Sequence, residues 1–517
     1  MKFLGEYKPD LPPLLNDGLT RAEGVLPEDK GYAPIPGLHA LTTSQIDARA
    51  QGLFSARDLA TQGTTYTYVG NASKLYQLNN NGWTDVSVGG GYSTGSTERW
   101  EFAQWGNQVV ATNFTDAVQV NTLGGANFAN LGGSPPKARY VGIVKDFLVL
   151  GNLDDAVDNE QPQRVQWSGF DDITAWTVSP TTQSDKQNLR NNFGWITGVV
   201  GGDYGLIFQE FAITRMTYVG SPLVFQFDLV EHDRGAYAPG SIIPIGDTVA
   251  YLASDGFYAF DGRQSIPIGE GKINESFFAS SGPIAFDRSY VERVNAAHYP
   301  EKQIIAWSYP SVNADPVGVS DVILFYNYSP TSQTRWSVLR TNTRDAEAGT
   351  TNIDHYVLGS ELAISYTLEG LDNVSSSIDA LPYSLDSRVW AGLNKLLGVM
   401  DTNNDLSAFE AQSNTDYIDA YLETGEFQLN PEARTSISLV RPFIERPRGN
   451  ATITMALSGR NDQDVSASFS GTVTLNASGF ANIRNNARFH RAFIKIESGF
   501  EYAYGINLMQ QSKVGRR

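Results

Sequence analysis

Short apolar runs separated by tight polar turns dominate the chain, and their spacing is too close for helices. From about Thr64 a recurring unit is visible: an apolar strand, a short polar turn, and a second apolar strand. RWEFAQWGNQVVATN turns at Gly106 and Asn107, KARYVGIVKDFLVLGN at Lys145 and Asp146, SIIPIGDTVAYLAS at Gly246 and Asp247, and VNAAHYPEKQIIAWSY through Pro300 to Lys302. WITGVVGGDYGLIFQ is a looser version. Turn residues between strand-like runs signal hairpins, and glycine among them takes positive φ without steric cost. The second strands recur roughly every 40–60 residues. Most are followed by another strand pair, as in DGFYAFDG from Asp255 and DVILFYNYSPTSQTRW from Asp321. That period is close to one four-stranded blade. The fold class expected is therefore all-β, an irregular β-propeller of about six to seven blades between residues 64 and 370, with a stack of β-sandwiches as the alternative.

The flanks break this pattern. DLPPLLNDGLTRAEGVLPEDKGYAPIPGL is too irregular for a core element and too apolar for a free tail, so residues 1–60 are expected to form an extended arm laid along another surface. Leu11, Leu14, Leu15, Val25 and Leu38 are its apolar anchors. Three segments suggest helix: Thr43–Ala56 with Ser44 near its N-cap, Ile273–Val294, and Asp386–Met400, apolar at Val389, Leu393, Leu396 and Leu397. The last of these marks the entry to a C-terminal domain whose alternating segments, such as RTSISLVRPFIE and HRAFIKIESGFEYAYGINLMQQ, predict a β-sandwich-like unit. The expected domains are 1–60, 61–380 and 381–517.

With 517 residues the chain can bury a large core, and with no cysteine it has no disulfide, thiolate nucleophile or cysteine-based metal site. No stretch reaches the roughly 20 apolar residues of a membrane helix, and MKFLGEYKPDLPPLL lacks an apolar run of signal length, so neither a span nor an export signal is expected. The formal charge of -18 argues against a general nucleic-acid clamp. Charge is unevenly spread: residues 441–517 hold 11 basic and 5 acidic side chains, net +6, which leaves -24 on residues 1–440.

The search for chemistry is mostly negative. His39, His232, His298, His355 and His490 fall in no metal-binding spacing, and no Gly-x-Ser-x-Gly elbow is present. DTNNDLSAFEAQ begins like a calcium loop but has Leu406 where glycine makes the turn and Gln412 where a bidentate glutamate belongs, so it is taken as a polar surface loop. VGGGYSTG and VVGGDYG lack the context that cradles phosphate. Carboxylate pairs at Asp154/Asp155, Asp171/Asp172 and Asp462/Asp464 suit exposed turns better than a glycosidase cleft, and no sialidase-type repeat accompanies them. Trp105, Trp167, Trp176, Trp195, Trp307 and Trp336 recur in strand segments, where packing between blades explains them better than base stacking. Catalytic, cofactor and metal sites are all expected to be absent.

Several segments together resemble a known family. GLTRAEGVLPEDKGYAPIPGL, FSARDLATQGTTYTYVGNASKLYQL, SPPKARYVGIVKDFLVLGN, RVQWSGFDDITAWTV, GVVGGDYGLIFQEFAITRMTYVG and VAYLASDGFYAFDG are similar to packaged-DNA stabilisation proteins, the tail hubs or nozzles of short-tailed phages. The likeness spans about residues 10–280 and weakens beyond them. It implies a structural virion protein, made in the host cytoplasm, that assembles with itself as a ring of about six copies beneath the portal and adaptor ring. It further implies that the ring lines or closes the DNA exit channel and anchors fibres or spikes. An acidic channel wall fits this role, because it repels the phosphates of passing DNA. Lys513, Arg516 and Arg517 are the candidate partner-binding residues of the basic C-terminal region. The alternative function is a β-propeller lyase or glycosidase acting on polysaccharide.

Overall fold

The computed structural model of the chain describes residues 2–42, 44–58, 64–79, 82–341, 355–362, 395–411, 413, 416–445 and 451–513. Among them, strands dominate. Among the described residues seven four-stranded antiparallel units follow one another, six as separate sheets and one as four strands of a ten-stranded sheet. Units 1 to 6 occupy residues 52–85, 101–130, 137–188, 196–232, 243–267 and 295–340. Unit 7 combines His355–Leu362, Leu396–Asp401 and Leu406–Phe409 with Leu38–Ala40, which supplies its outer strand through Ala408↔His39.

Packing closes the series into a ring. One hydrophobic cluster lies at each junction: Tyr68, Leu75 and Val109 between units 1 and 2, Val110, Leu148 and Trp176 between 2 and 3, Phe147, Trp167 and Ile207 between 3 and 4, and Phe208, Tyr251 and Phe260 between 4 and 5. Phe257, Trp307 and Trp336 join units 5 and 6, Phe325, Val399 and Phe409 join 6 and 7, and Val69, Tyr76 and Met400 return from 7 to 1. The innermost strand of unit 7 lies against that of unit 1. The molecule is propeller-like: each sheet buries both faces against its neighbours, which a linear stack cannot do at its ends.

The hairpins expected from sequence are present. Trp105 pairs with Gln108 across Gly106–Asn107, Val144 with Phe147 across Lys145–Asp146, and Ile245 with Thr248 across Gly246–Asp247. Gly106 and Gly246 sit at φ 57° and 58°, as such turns demand. Lys145 adopts φ 54° without glycine's freedom; its backbone N–H donates to the Gly202 carbonyl at 2.8 Å, which holds the turn in place.

The N-terminal arm is woven into the body. Leu19–Glu23 runs parallel to Trp336–Arg340 and antiparallel to Ala420–Thr424, so it joins unit 6 to the C-terminal strands Phe489–Glu497, Thr452–Arg460 and Ser468–Phe469 in the ten-stranded sheet. A six-stranded sheet built from Lys2–Phe3, Val25–Glu28, Gly31–Pro34, Tyr502–Lys513, Thr435–Glu445 and Asn485–Ala487 faces it. Ile437, Val440, Met455, Ile494 and Ile506 are all buried in the shared core. Of the five expected anchors, Val25 is fully buried, Leu38 packs against the core between units 6 and 7, Leu11 and Leu14 are half-buried, and Leu15 is exposed. Leu4, Tyr7 and Leu19 carry the anchoring that Leu15 does not.

Of the three helical expectations, only that for Ile273–Val294 is met, and in part. Gly52–Asp58 is the first strand of unit 1, and the Ser44 hydroxyl accepts from the Trp83 backbone rather than capping a helix. Ile273–Val294 contains only a four-residue helix, Asn274–Phe277, and a kinked 3-10 segment at Arg288–Arg293. Leu396–Asp401 is a strand; residues 386–394, with Val389 and Leu393, lie outside the described residues. Every residue from Leu396 to Met400 is buried, because the sheet is covered on both faces, and a strand covered on both faces loses the alternation that distinguishes it from a helix.

One buried histidine makes the C-terminal core sensitive to pH. His490 is 0% exposed, with Nε2 2.7 Å from the Thr435 hydroxyl and Nδ1 2.8 Å from Asn485 Oδ1. Burial lowers its pKa from 6.5 to about 4, partly opposed by a backbone hydrogen bond at Ala487. The unfolded chain therefore takes up this proton first as pH falls. Stability is whole above about pH 6.5, declines between 6.5 and 4, and levels off below, a loss of about 3 kcal/mol. Urea midpoints at pH 7.5 and 4.5 should differ more for the native chain than for His490→Gln; equal differences would contradict this assignment.

Candidate functional site

The first strand of each unit is the edge strand of its sheet, so the ring's inner edges present backbone donors and acceptors towards the axis, apart from a few groups bonded to neighbouring segments. Along those edges runs a pocket of about 290 Å³, walled by Arg99, Glu101, Tyr140, Thr197, Gly240 and Asn295 among others. These residues come from the starts of units 2, 3, 4 and 6 and from the loops leading into units 2 and 5. Two of the inner edges meet at the far end. Val144 bridges Gly202 in parallel, and the Gly202 N–H donates to Ile143 at 2.9 Å. A Cβ on Gly201 would stand 2.0 Å from the Ile143 carbonyl oxygen, so only glycine permits this closure.

At the other end a smaller recess shares Arg99 and Asn295 with the pocket and is rimmed by Arg49, Glu98, Glu292 and Arg293. The charges there are compensated. Arg99 Nε lies 2.8 Å from Glu101 Oε1, Arg139 pairs with Glu98, Arg49 donates to the Ser96 carbonyl at 2.8 Å, and Arg293 donates to the Gly318 carbonyl. Gly240 makes room for the Arg99 guanidinium, since a Cβ there would fall 1.7 Å from Nη1. Burial raises the pKa of Glu101, with Arg99 opposing. Burial, reinforced by the Glu101 charge, raises Tyr140 and keeps its phenol a donor. Thr197 is 6% exposed, and its hydroxyl, shut off from solvent, has no hydrogen-bond partner among the described residues. The site can orient a small polar molecule. Glu101 is the carboxyl of the larger pocket and is paired with Arg99, while Glu98 on the rim of the recess is paired with Arg139.

None of the sequence-derived candidates lying within the described residues, Trp and carboxylate pairs included, lines this pocket. Arg516 and Arg517 are outside the described residues. Lys513 ends the strand Tyr502–Lys513, where its backbone pairs with Thr435. Among the described residues no three His, Asp or Glu side chains cluster as a metal site. His39 pairs with Asp416 at 2.6 Å, and His298 with the Tyr328 hydroxyl at 2.9 Å. Asp155 and Asp158 share Arg164 and Lys186 in a surface ion cluster, and Asp172 caps the turn at Thr174. Asp401 accepts from the backbone of Asn403 and Asp405, closing the turn that had suggested calcium. Trp167, Trp176, Trp307 and Trp336 are buried between units as expected, while Trp195 is 54% exposed. Arg99, Glu101 and Thr197 carried no sequence signal, because nothing in their spacing shows that strands about a hundred residues apart share an axis.

No family model matches the chain, and no curated protein matches it. Among solved structures it is similar to the computationally designed Ika8 protein, at 8% identity, TM-score 0.37, covering 76% of this chain and 96% of that one. The WD40 domain of Neurospora crassa Pan2 aligns at 6% identity and TM-score 0.38, over 74% of this chain and 98% of that one. BamB from Moraxella catarrhalis aligns at 10% identity and TM-score 0.35, over 75% and 94%.

Proposed function

We propose that this protein is a structural, non-enzymatic virion component, the hub or nozzle of a short phage tail, built from seven blades and a C-terminal β-sandwich-like unit. The reading rests first on the quoted segments within residues 10–280. One architectural observation supports it: the ten-stranded sheet carries unit 6 through Leu19–Glu23 into the C-terminal strands without a linker. Such a sheet transmits force between the two bodies, whereas linked domains move independently by default. Copies would meet head to tail and close into a ring beneath the adaptor, with the acidic body towards DNA and the basic C-terminal region towards an acidic neighbour.

Purified particles settle the question. Negative-stain images of virions carrying a tagged chain should place the tag at the tail below the portal. Finding the protein only in cell supernatant, with polysaccharide-releasing activity, would overturn the proposal in favour of a secreted enzyme. Replacing Lys513, Arg516 and Arg517 with serine should lower incorporation at low salt, since exposed ion pairs of about 0–1 kcal/mol each act only in combination. Unchanged incorporation at low and high salt removes the basic end as a contact.

A further inference from the structure

We propose that the groove where the arm, unit 6 and the C-terminal sheet meet binds the basic segment Lys513–Arg517 of a second copy of this chain. The inference rests on the contact between copies proposed above and not on its place in a virion. The groove has a volume of about 790 Å³ and continues past Phe3 and Tyr504 into a recess of about 230 Å³. One wall is aromatic: Phe3 is 65% exposed, and Tyr502 and Tyr504, two apart on one strand, face the groove together. The rest is acidic, with Glu28, Asp29, Glu301 and Glu445 against Lys30 and Lys302. Lys302 is committed to Glu28 at 2.7 Å. The Glu28 charge raises the pKa of Tyr502, and the hydrogen bond to Glu445 raises Tyr504 to about 12, so the carboxylates act directly on the aromatic wall.

Aromatic faces beside carboxylates suit guanidinium and ammonium groups, which stack on the rings while their N–H donors reach the acids. Lys513, Arg516 and Arg517 supply three such groups in a short segment that holds no acidic residue. A chain cannot fill its own groove. Tyr504 and Lys513 lie nine residues apart along one strand, about 30 Å at roughly 3.3 Å per residue, whereas Arg517, four residues further on, is at most about 14 Å from Lys513. The occupant therefore comes from another copy. Groove and segment sit at opposite ends of that strand, so each copy offers both, and copies passing their segments in one direction close into a ring.

Sedimentation of the full chain, together with fluorescence anisotropy of the labelled peptide QSKVGRR, tests this. The peptide should bind the unmodified chain and dissociate its oligomer, whereas a peptide with glutamate at the three basic positions should do neither; this arm needs no variant to fold. Arg516→Glu with Arg517→Glu should weaken self-association about tenfold, and Glu301→Lys with Glu445→Lys should weaken it similarly. Combining all four substitutions should restore it, which a merely structural role for these residues would not do. Three results would overturn the proposal: no peptide binding at millimolar concentration, a chain that is monomeric at every concentration, or self-association unchanged by both pairs of substitutions. The last would leave the ring above standing, while a closed dimer sensitive to both pairs would uphold this inference and remove the ring.

Discussion

A chain lacking residues 2–40 is expected to be recovered as aggregate, not as a folded monomer. Those residues supply the outer strand of unit 7, the strand that links unit 6 to the C-terminal sheet, and three strands of the six-stranded sheet. Removing them exposes the buried faces of Leu422, Ile437 and Ala503, and leaves open edges at Trp336–Arg340, Ala420–Thr424 and Leu406–Phe409. Burial of Leu4, Leu19, Val25 and Ile35 alone contributes about 1.5–3 kcal/mol each. Unpaired strand edges beside exposed apolar surface then promote association. A truncated protein that elutes as a monomer with a near-native melting temperature would show that the arm is an accessory.

The largest effect of a single substitution is expected at Glu23. Its buried carboxylate accepts from Arg340 Nε at 3.0 Å, from Arg340 Nη2 at 2.8 Å, and from Arg21 Nε at 2.8 Å. Arg21 also stacks on Tyr421, 4.6 Å from the ring centroid. Glu23→Ala leaves Arg340, itself only 7% exposed, as an uncompensated charge at the junction of arm and ring. Breaking a buried pair from one side costs about 3–5 kcal/mol. Replacing both Glu23 and Arg340 with methionine removes both charges, and this double variant should recover most of that loss. Chemical denaturation of the three proteins measures both quantities. A double variant as unstable as Glu23→Ala would mean that the ion pair is worth more than its desolvation.

Local chemistry decided what the sequence could reveal. The turns at Gly106–Asn107, Lys145–Asp146 and Gly246–Asp247 are set by a few adjacent residues and were legible, and so was the all-β class. The arm's burial was legible from its apolar content, but its pairing was not: Leu19 faces Thr424 and His39 faces Ala408, partners that no local pattern specifies. The QIDARAQGLFSA run favours helix by propensity, yet pairing of Gly52–Asp58 with Thr64–Gly70 overrides it. The run LLGVM reads equally as helix or buried strand, and the two covered faces decide. The axial pocket was illegible for a different reason. Arg99, Glu101, Thr197 and Asn295 become neighbours only when the ring shuts.

The woven arm also fixes an order of events during synthesis. Leu19–Glu23 leaves the ribosome well before its partner Ala420–Thr424. At about 5–20 residues per second, that partner emerges roughly 20–80 seconds later. Units 1 to 5 carry all their strands in sequence order and can form while the chain is still growing. Unit 7 must wait for Leu38–Ala40 to be captured by Leu406–Phe409, so the ring is shut by a segment made before any of its other strands and placed after them.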